Sequence, residues 1–144
     1  MFYQSFLFAQ LIITYLLIGL LGLSIMLGIF FLYKNKNPSK YYFSIVRYSL
    51  VLAYLQLTLL TIHYFVSPHY KLWNQLKFSE IFNSSVQRFV LLEQPAVNFL
   101  AVFLVTLGYT LHLRQLNPEK LFFRIIIFYG LSLLCFLFGA PIRY

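Results

Sequence analysis

Gln10, His63, Glu93, Gln94 and Asn98 are the residues of this chain whose types and positions can do chemistry. Each falls inside or at the edge of a long apolar run, where a polar or ionisable side chain is a candidate for function. A histidine and a carboxylate beside three amides can hold a quinone headgroup, a lipid headgroup or a metal ion. The plainer reading gives each a structural task. Glu93 then neutralises a helix end or pairs with Arg88, and His63 is a satisfied interface histidine.

Other chemistry has little to work with. There is no CxxC, no HExxH, no glycine-rich phosphate loop and no Asp, and the carboxylates are Glu80, Glu93 and Glu119. Paired-carboxylate acid–base catalysis therefore lacks its parts, and no enzyme is expected. Cys135 is the one cysteine, so no disulfide forms within the chain. It lies in an apolar run and reads as a small packing residue.

Bis-histidine haem needs two histidines at one depth on facing helices. His63 sits near one end of its run and His112 near the opposite end of another, about 30 Å apart along a helical axis. His69 lies past Pro68, outside the runs. A lone His112–Met26 arrangement is the one haem b geometry left open.

The elements that must position these residues are four apolar runs, at 6–33, 41–66, 90–113 and 121–140. A helix crosses a hydrocarbon core with about 20 mainly apolar residues. With 61% of its 144 residues hydrophobic and 10% charged, the chain exceeds what a soluble core of this size can bury. The expected fold is all-α: an antiparallel bundle of four transmembrane helices forming one domain over 1–144. The first run reads as a permanent helix, since it is too long for a leader peptide and no A-x-A site follows it.

The net charge of +8 does not point to nucleic acid, because the basic residues gather at run ends. There they set topology and meet anionic headgroups. Lys34, Lys36, Lys40, Arg47, Arg114, Lys120 and Arg124 lie on one side. Lys71, Lys77, Arg88 and Arg143 lie on the other. The more basic side is expected in the cytoplasm of a bacterial inner membrane, with both termini outside.

Asn37-Pro38 and Asn117-Pro118 each pair a capping side chain with a first-turn proline. Glu93-Gln94-Pro95 reads as a similar start for the third helix, and Ser67-Pro68 as the end of the second. Between them, Trp73, Leu76, Phe82, Val86 and Phe89 oppose Lys77, Asn83 and Gln87. This spacing predicts a short amphipathic helix over about 70–89 lying on the outer membrane surface; an irregular loop with aromatic anchors is the alternative.

Lipid gives helices no hydrophobic reason to associate, so small and polar residues at regular spacing mark packed faces. Gln10, Thr14, Leu17, Leu21, Ser24 and Gly28 form such a stripe. So do Ser49, Ala53, Gln56, Leu60 and His63 on the second helix, and Gln94, Asn98, Ala101, Val105, Gly108 and His112 on the third. The fourth offers Ser132, Cys135 and Gly139. Gln10, His63 and Gln94 fall roughly 12 to 15 Å from the midplane on the outer side, with Asn98 a turn deeper. The midplane holds only Gln56 and a few hydroxyls, which argues against a channel or transporter.

Several stretches carry a resemblance. They are Leu55-Gln56-Leu57, Tyr64-Phe65-Val66-Ser67-Pro68, Arg88-Phe89 with Leu92-Glu93, Thr106-Leu107-Gly108-Tyr109, and an aromatic fourth helix ending near Pro141. Over 46–143 the chain resembles small four-helix inner-membrane proteins of Bacteroidota-type bacteria, loosely labelled "cytochrome b"-like. It departs from their pattern where Tyr54 and Gln94 stand in place of histidines. Its first helix offers only Phe8-Ala9-Gln10 where they carry a His-Ser-x-x-Arg-Trp-like opening. The resemblance therefore implies their scaffold without their cofactor.

Two functions follow as expectations. The first is a non-catalytic accessory subunit of a larger inner-membrane complex, such as a respiratory one, packed against lipid and larger partner subunits through its 17 Phe and 12 Tyr. The alternative is a small redox or quinone- or haem-binding membrane protein acting at the outer polar cluster.

Overall fold

The computed structural model describes residues 2–139. Arg143 and Pro141, and with them the end of the fourth run, lie outside the described residues. Four helices are long and apolar enough to cross a membrane, and no strand occurs among the described residues. The protein is an all-α multi-pass membrane protein.

The first span is α1 (Phe2–Tyr33) and the second is α2 (Lys40–Val66). A 3-10 turn (Pro68–Lys71) follows, then three short helices, α3 (Leu72–Gln75), α4 (Phe78–Asn83) and α5 (Ser85–Arg88). α5 runs through a π-helical stretch (Phe89–Glu93) into α6 (Gln94–Leu113), so the third span is one helix, Ser85–Leu113. The fourth is α7 (Pro118–Gly139). Packing runs α1 to α2 to α6 to α7 and back to α1, an antiparallel ring of four.

The helix ends show which signals the chain obeys. Asn117 caps α7 as expected, its Oδ1 accepting from the Glu119 N–H at 3.0 Å ahead of Pro118. Ser67 closes α2, its N–H donating to the His63 carbonyl at 2.8 Å. Asn37-Pro38 is not the α2 cap. Ser39 takes that place, accepting from the Tyr42 N–H at 3.2 Å. A hydroxyl fits between an extended backbone and the first turn, and Pro38 is one residue too early. The end of α1 is set by Asn35, at φ 48°. Lys36 N–H reaches the Phe31 carbonyl at 3.1 Å and Asn35 N–H the Leu32 carbonyl at 3.3 Å. This is the Schellman closure, with asparagine where glycine is usual.

The segment between α2 and α6 is helical, but in pieces rather than as one helix over 70–89. The chain is extended at Leu76 and Lys77 and again at Ser84. Breaking the helix turns Ile81 inward to 1% exposure and leaves Phe82 and Val86 exposed. The spacing of Trp73, Leu76 and Phe82 looks helical only when those breaks are ignored.

The stripe of α1 is buried at all six expected positions. On α6 the buried set is Asn98, Ala101, Val102, Val105, Gly108 and His112. The stripe of α7 is more aromatic than expected, with Phe122, Tyr129 and Phe136 beside Ser132 and Gly139. Neighbouring helices are tied by hydrogen bonds. Ser132 Oγ donates to the Ala101 carbonyl at 2.9 Å, and Ser24 and Ser49 share a bond of 3.2 Å. Tyr129 spans the bundle diagonal and donates to the Val46 carbonyl at 2.9 Å. Each cross-helix bond stabilises by roughly 0.6 kcal/mol on average in a membrane.

Candidate functional site

At the end of the bundle where α1 begins and α2 ends, α1, α2 and α6 separate around a cavity of about 480 Å³. Four of the five expected residues line it: Gln10, His63, Gln94 and Asn98. Gln10 comes from the α1 stripe, one turn above Thr14. His63 comes from the last turn of α2, its ring edge-on to Phe6 at 6.2 Å between centroids. Gln94 and Asn98 are one turn apart on α6.

Glu93 is not among them. It is exposed, and its carboxylate accepts from Arg88 Nε at 2.7 Å. The third span does not begin at Glu93-Gln94-Pro95, so Glu93 caps nothing. It lies in the π-helical stretch, where the wider turn rotates it away from the bundle. The pairing with Arg88 is the structural task the sequence allowed for it.

His69 is the residue that sequence reasoning set aside. Pro68 ends α2, but Ser67 Oγ accepts from the His69 N–H at 3.1 Å and folds the chain back as a 3-10 turn. His69 thereby lines the same cavity as His63. The Ser67-Pro68 pair was the available signal, since a hydroxyl capping the residue two ahead starts a turn.

Most polar groups in the wall are already engaged. Thr61 donates to the Leu57 carbonyl at 2.8 Å and Asn98 Nδ2 to the Gln94 carbonyl at 2.8 Å. Gln94 Nε2 donates to the Gly139 carbonyl at 3.2 Å. Gln10 differs. It is 1% exposed, and neither Nε2 nor Oε1 has a partner among the described residues. Its backbone carbonyl accepts from Thr14 Oγ1, which in turn accepts from Gln56 Nε2 at 2.6 Å. The Gln56–Thr14 bond fixes α1 against α2 directly beneath the cavity. Leaving a buried amide unmatched costs on the order of 1–3 kcal/mol. The Tyr42 hydroxyl, Gln56 Oε1 and both His112 nitrogens are likewise buried without a partner among the described residues, but none of them borders the cavity.

No three His, Cys, Asp or Glu side chains gather into a metal-sized group among the described residues. Met26 is 70% exposed while His112 is 1% exposed, so the two do not face one another. His112 stacks on Phe43 and meets Tyr109, at 5.7 and 4.9 Å between centroids. Phe43 and His63 stand 20 residues apart on α2, which keeps the two spanning histidines about 30 Å apart. A shallower hollow at the other end is lined by Leu32, Glu119, Lys120, Phe123 and Arg124. Its Arg124 already donates to the Leu111 carbonyl at 2.8 Å, capping α6 with a cation at the negative end of its dipole.

No protein family, curated protein or solved structure matches the chain.

Proposed function

We propose that this is a non-catalytic membrane protein that holds a small neutral amphiphile in the outer cavity. The unmatched Gln10 amide carries this reading. Ligand sites are largely apolar hollows with a few fixed polar groups. Here a buried amide with neither end hydrogen-bonded among the described residues belongs to a residue that borders such a hollow, while its neighbours are engaged. The reading places the protein in a bacterial inner membrane with both termini on the outer side, so the cavity opens toward the periplasmic leaflet. Solvent extraction of the gently purified chain, followed by mass spectrometry, tests it. One amphiphile at near-stoichiometric amount, lost in Gln10→Leu, is the expected result. An extract matching bulk lipid in both samples defeats the reading.

A second reading, an accessory subunit of a larger complex such as a respiratory one, is favoured by Tyr15. It is 55% exposed on α1, five residues deeper than Gln10 and about 5 Å from the midplane. A hydroxyl facing lipid at that depth finds no hydrogen-bonding partner in the bilayer. A partner helix would supply one. Co-purifying larger subunits that are lost in Tyr15→Phe would support this role.

A further inference from the structure

We infer that the outer cavity takes the ring headgroup of a quinone or quinol, with a ring oxygen hydrogen-bonded to Gln10; the inference rests on the cavity being a ligand site.

Three features of the wall select this class. The first is charge. Among the described residues no Lys, Arg, Asp or Glu lines the cavity, whose ionisable side chains near neutral pH are His63 and His69, and Glu93 is turned out to Arg88. A phosphate or carboxylate headgroup buried there would meet no permanently charged cation among the described residues, which is costly. The occupant's head is therefore neutral. The second is hydrogen bonding. Gln10 offers a donor at Nε2 and an acceptor at Oε1, both 1% exposed with the rest of the residue and both unpartnered. A quinone carbonyl accepts from Nε2. A quinol hydroxyl accepts from Nε2 and also donates to Oε1. The third is shape. Tyr64, Phe65, Phe99 and Pro95 line the cavity, a set of ring side chains suited to a planar headgroup. Phe99 and Leu11 are 57% and 41% exposed, so an isoprenoid or alkyl tail leaves between them into lipid.

The two-ended match makes the reduced form the better ligand. One extra hydrogen bond to a buried amide corresponds to about a tenfold difference in affinity.

Trp73 is the one tryptophan and reports locally. Its Nε1 donates to the Tyr64 hydroxyl at 2.8 Å, and Tyr64 lines the cavity. The experiment titrates the full chain in mild detergent with a short-tailed benzoquinone and follows Trp73 emission. The quinol and a long-chain alcohol of the same tail are then added as competitors. Saturable quenching is expected, with the quinol displacing the quinone about tenfold more effectively than the reverse. Gln10→Leu should weaken binding at least tenfold while melting no lower than wild type, because an unmatched amide has been removed. Leu60→Phe, which narrows the cavity, leaves Gln10 in place and keeps Trp73 the one tryptophan, should also weaken binding. Binding of the alcohol but not the quinone, lost in Gln10→Leu, keeps the site and overturns the quinone assignment. Binding of neither overturns both. A Gln10→Leu chain that melts lower and binds normally shows Gln10 to be structural and overturns the inference.

Discussion

The Tyr64 hydroxyl donates to the Leu91 carbonyl at 3.1 Å, four residues before Pro95. Proline has no N–H, so Pro95 cannot close the α-helical bond to that carbonyl. The same hydroxyl accepts from Trp73 Nε1 at 2.8 Å. One tyrosine thus serves a proline-made gap in the third span and ties the outer segment over the cavity. The π-helical stretch just before Pro95 is where such a disturbance is absorbed.

Tyr64→Phe should therefore cost about 1–2 kcal/mol, since two polar groups lose their partner. Adding Pro95→Ala restores an N–H for Leu91 and should recover part of that loss. A double-mutant cycle on thermal unfolding in detergent measures the coupling. Strictly additive effects would show that Tyr64 and Pro95 act independently.

Gly108 lets α6 pack tightly on α7. A Cβ there would lie 2.8 Å from Phe128 Cβ and 3.2 Å from Tyr129 Cδ1. Neither atom is the free end of a flexible chain. Gly108→Ala should destabilise by roughly 1–3 kcal/mol through overpacking. Gly19 has nothing within 4 Å of its Cβ position, so Gly19→Ala should leave unfolding unchanged or slightly improved. Equal melting of the two variants would mean the α6–α7 contact yields more easily than its geometry indicates.

Glu93 offers a test of what lies outside the site. Its pair with Arg88 has side chains 47% and 41% exposed, and such pairs contribute roughly 0–1 kcal/mol. Glu93→Gln should leave both the melting temperature and ligand occupancy near wild type. Loss of occupancy in this variant would put a carboxylate back into the binding wall.

The bundle was legible because its signal is redundant. Six positions of α1, from Gln10 to Gly28, repeat one spacing, and no single substitution hides that. The α7 stripe was less legible, because Phe122, Tyr129 and Phe136 are types that serve equally well against lipid. The candidate site was half legible. Gln10, His63 and Gln94 share a depth that helical rise alone gives, with Asn98 one turn below. Glu93 shares the depth too, but a π turn invisible in side-chain spacing rotates it outward. His69 was hidden for the opposite reason, since Pro68 signals a helix end and the Ser67 turn returns the chain to the bundle. The unmatched state of Gln10 has no trace in sequence at all. It depends on what α2 and α6 place around the amide.

Topology can be settled by labelling, because the two ends of the bundle differ in basic charge. Lys34, Lys36, Arg114 and Lys120 cluster at the end opposite the cavity, around the turns that close α1 and α6. The rule for such clusters puts that end in the cytoplasm. In a Cys135→Ser background, Asn37→Cys and Asn74→Cys each place one thiol at an exposed position without altering charge. In intact cells a membrane-impermeant maleimide should modify Asn74→Cys at once. It should reach Asn37→Cys only after permeabilisation. The reverse pattern would place the cavity in the cytoplasmic leaflet, and its occupant would then have to be sought among molecules presented from that side. Labelling of both positions in intact cells would mean that the chain inserts in two orientations, as a moderate charge difference permits.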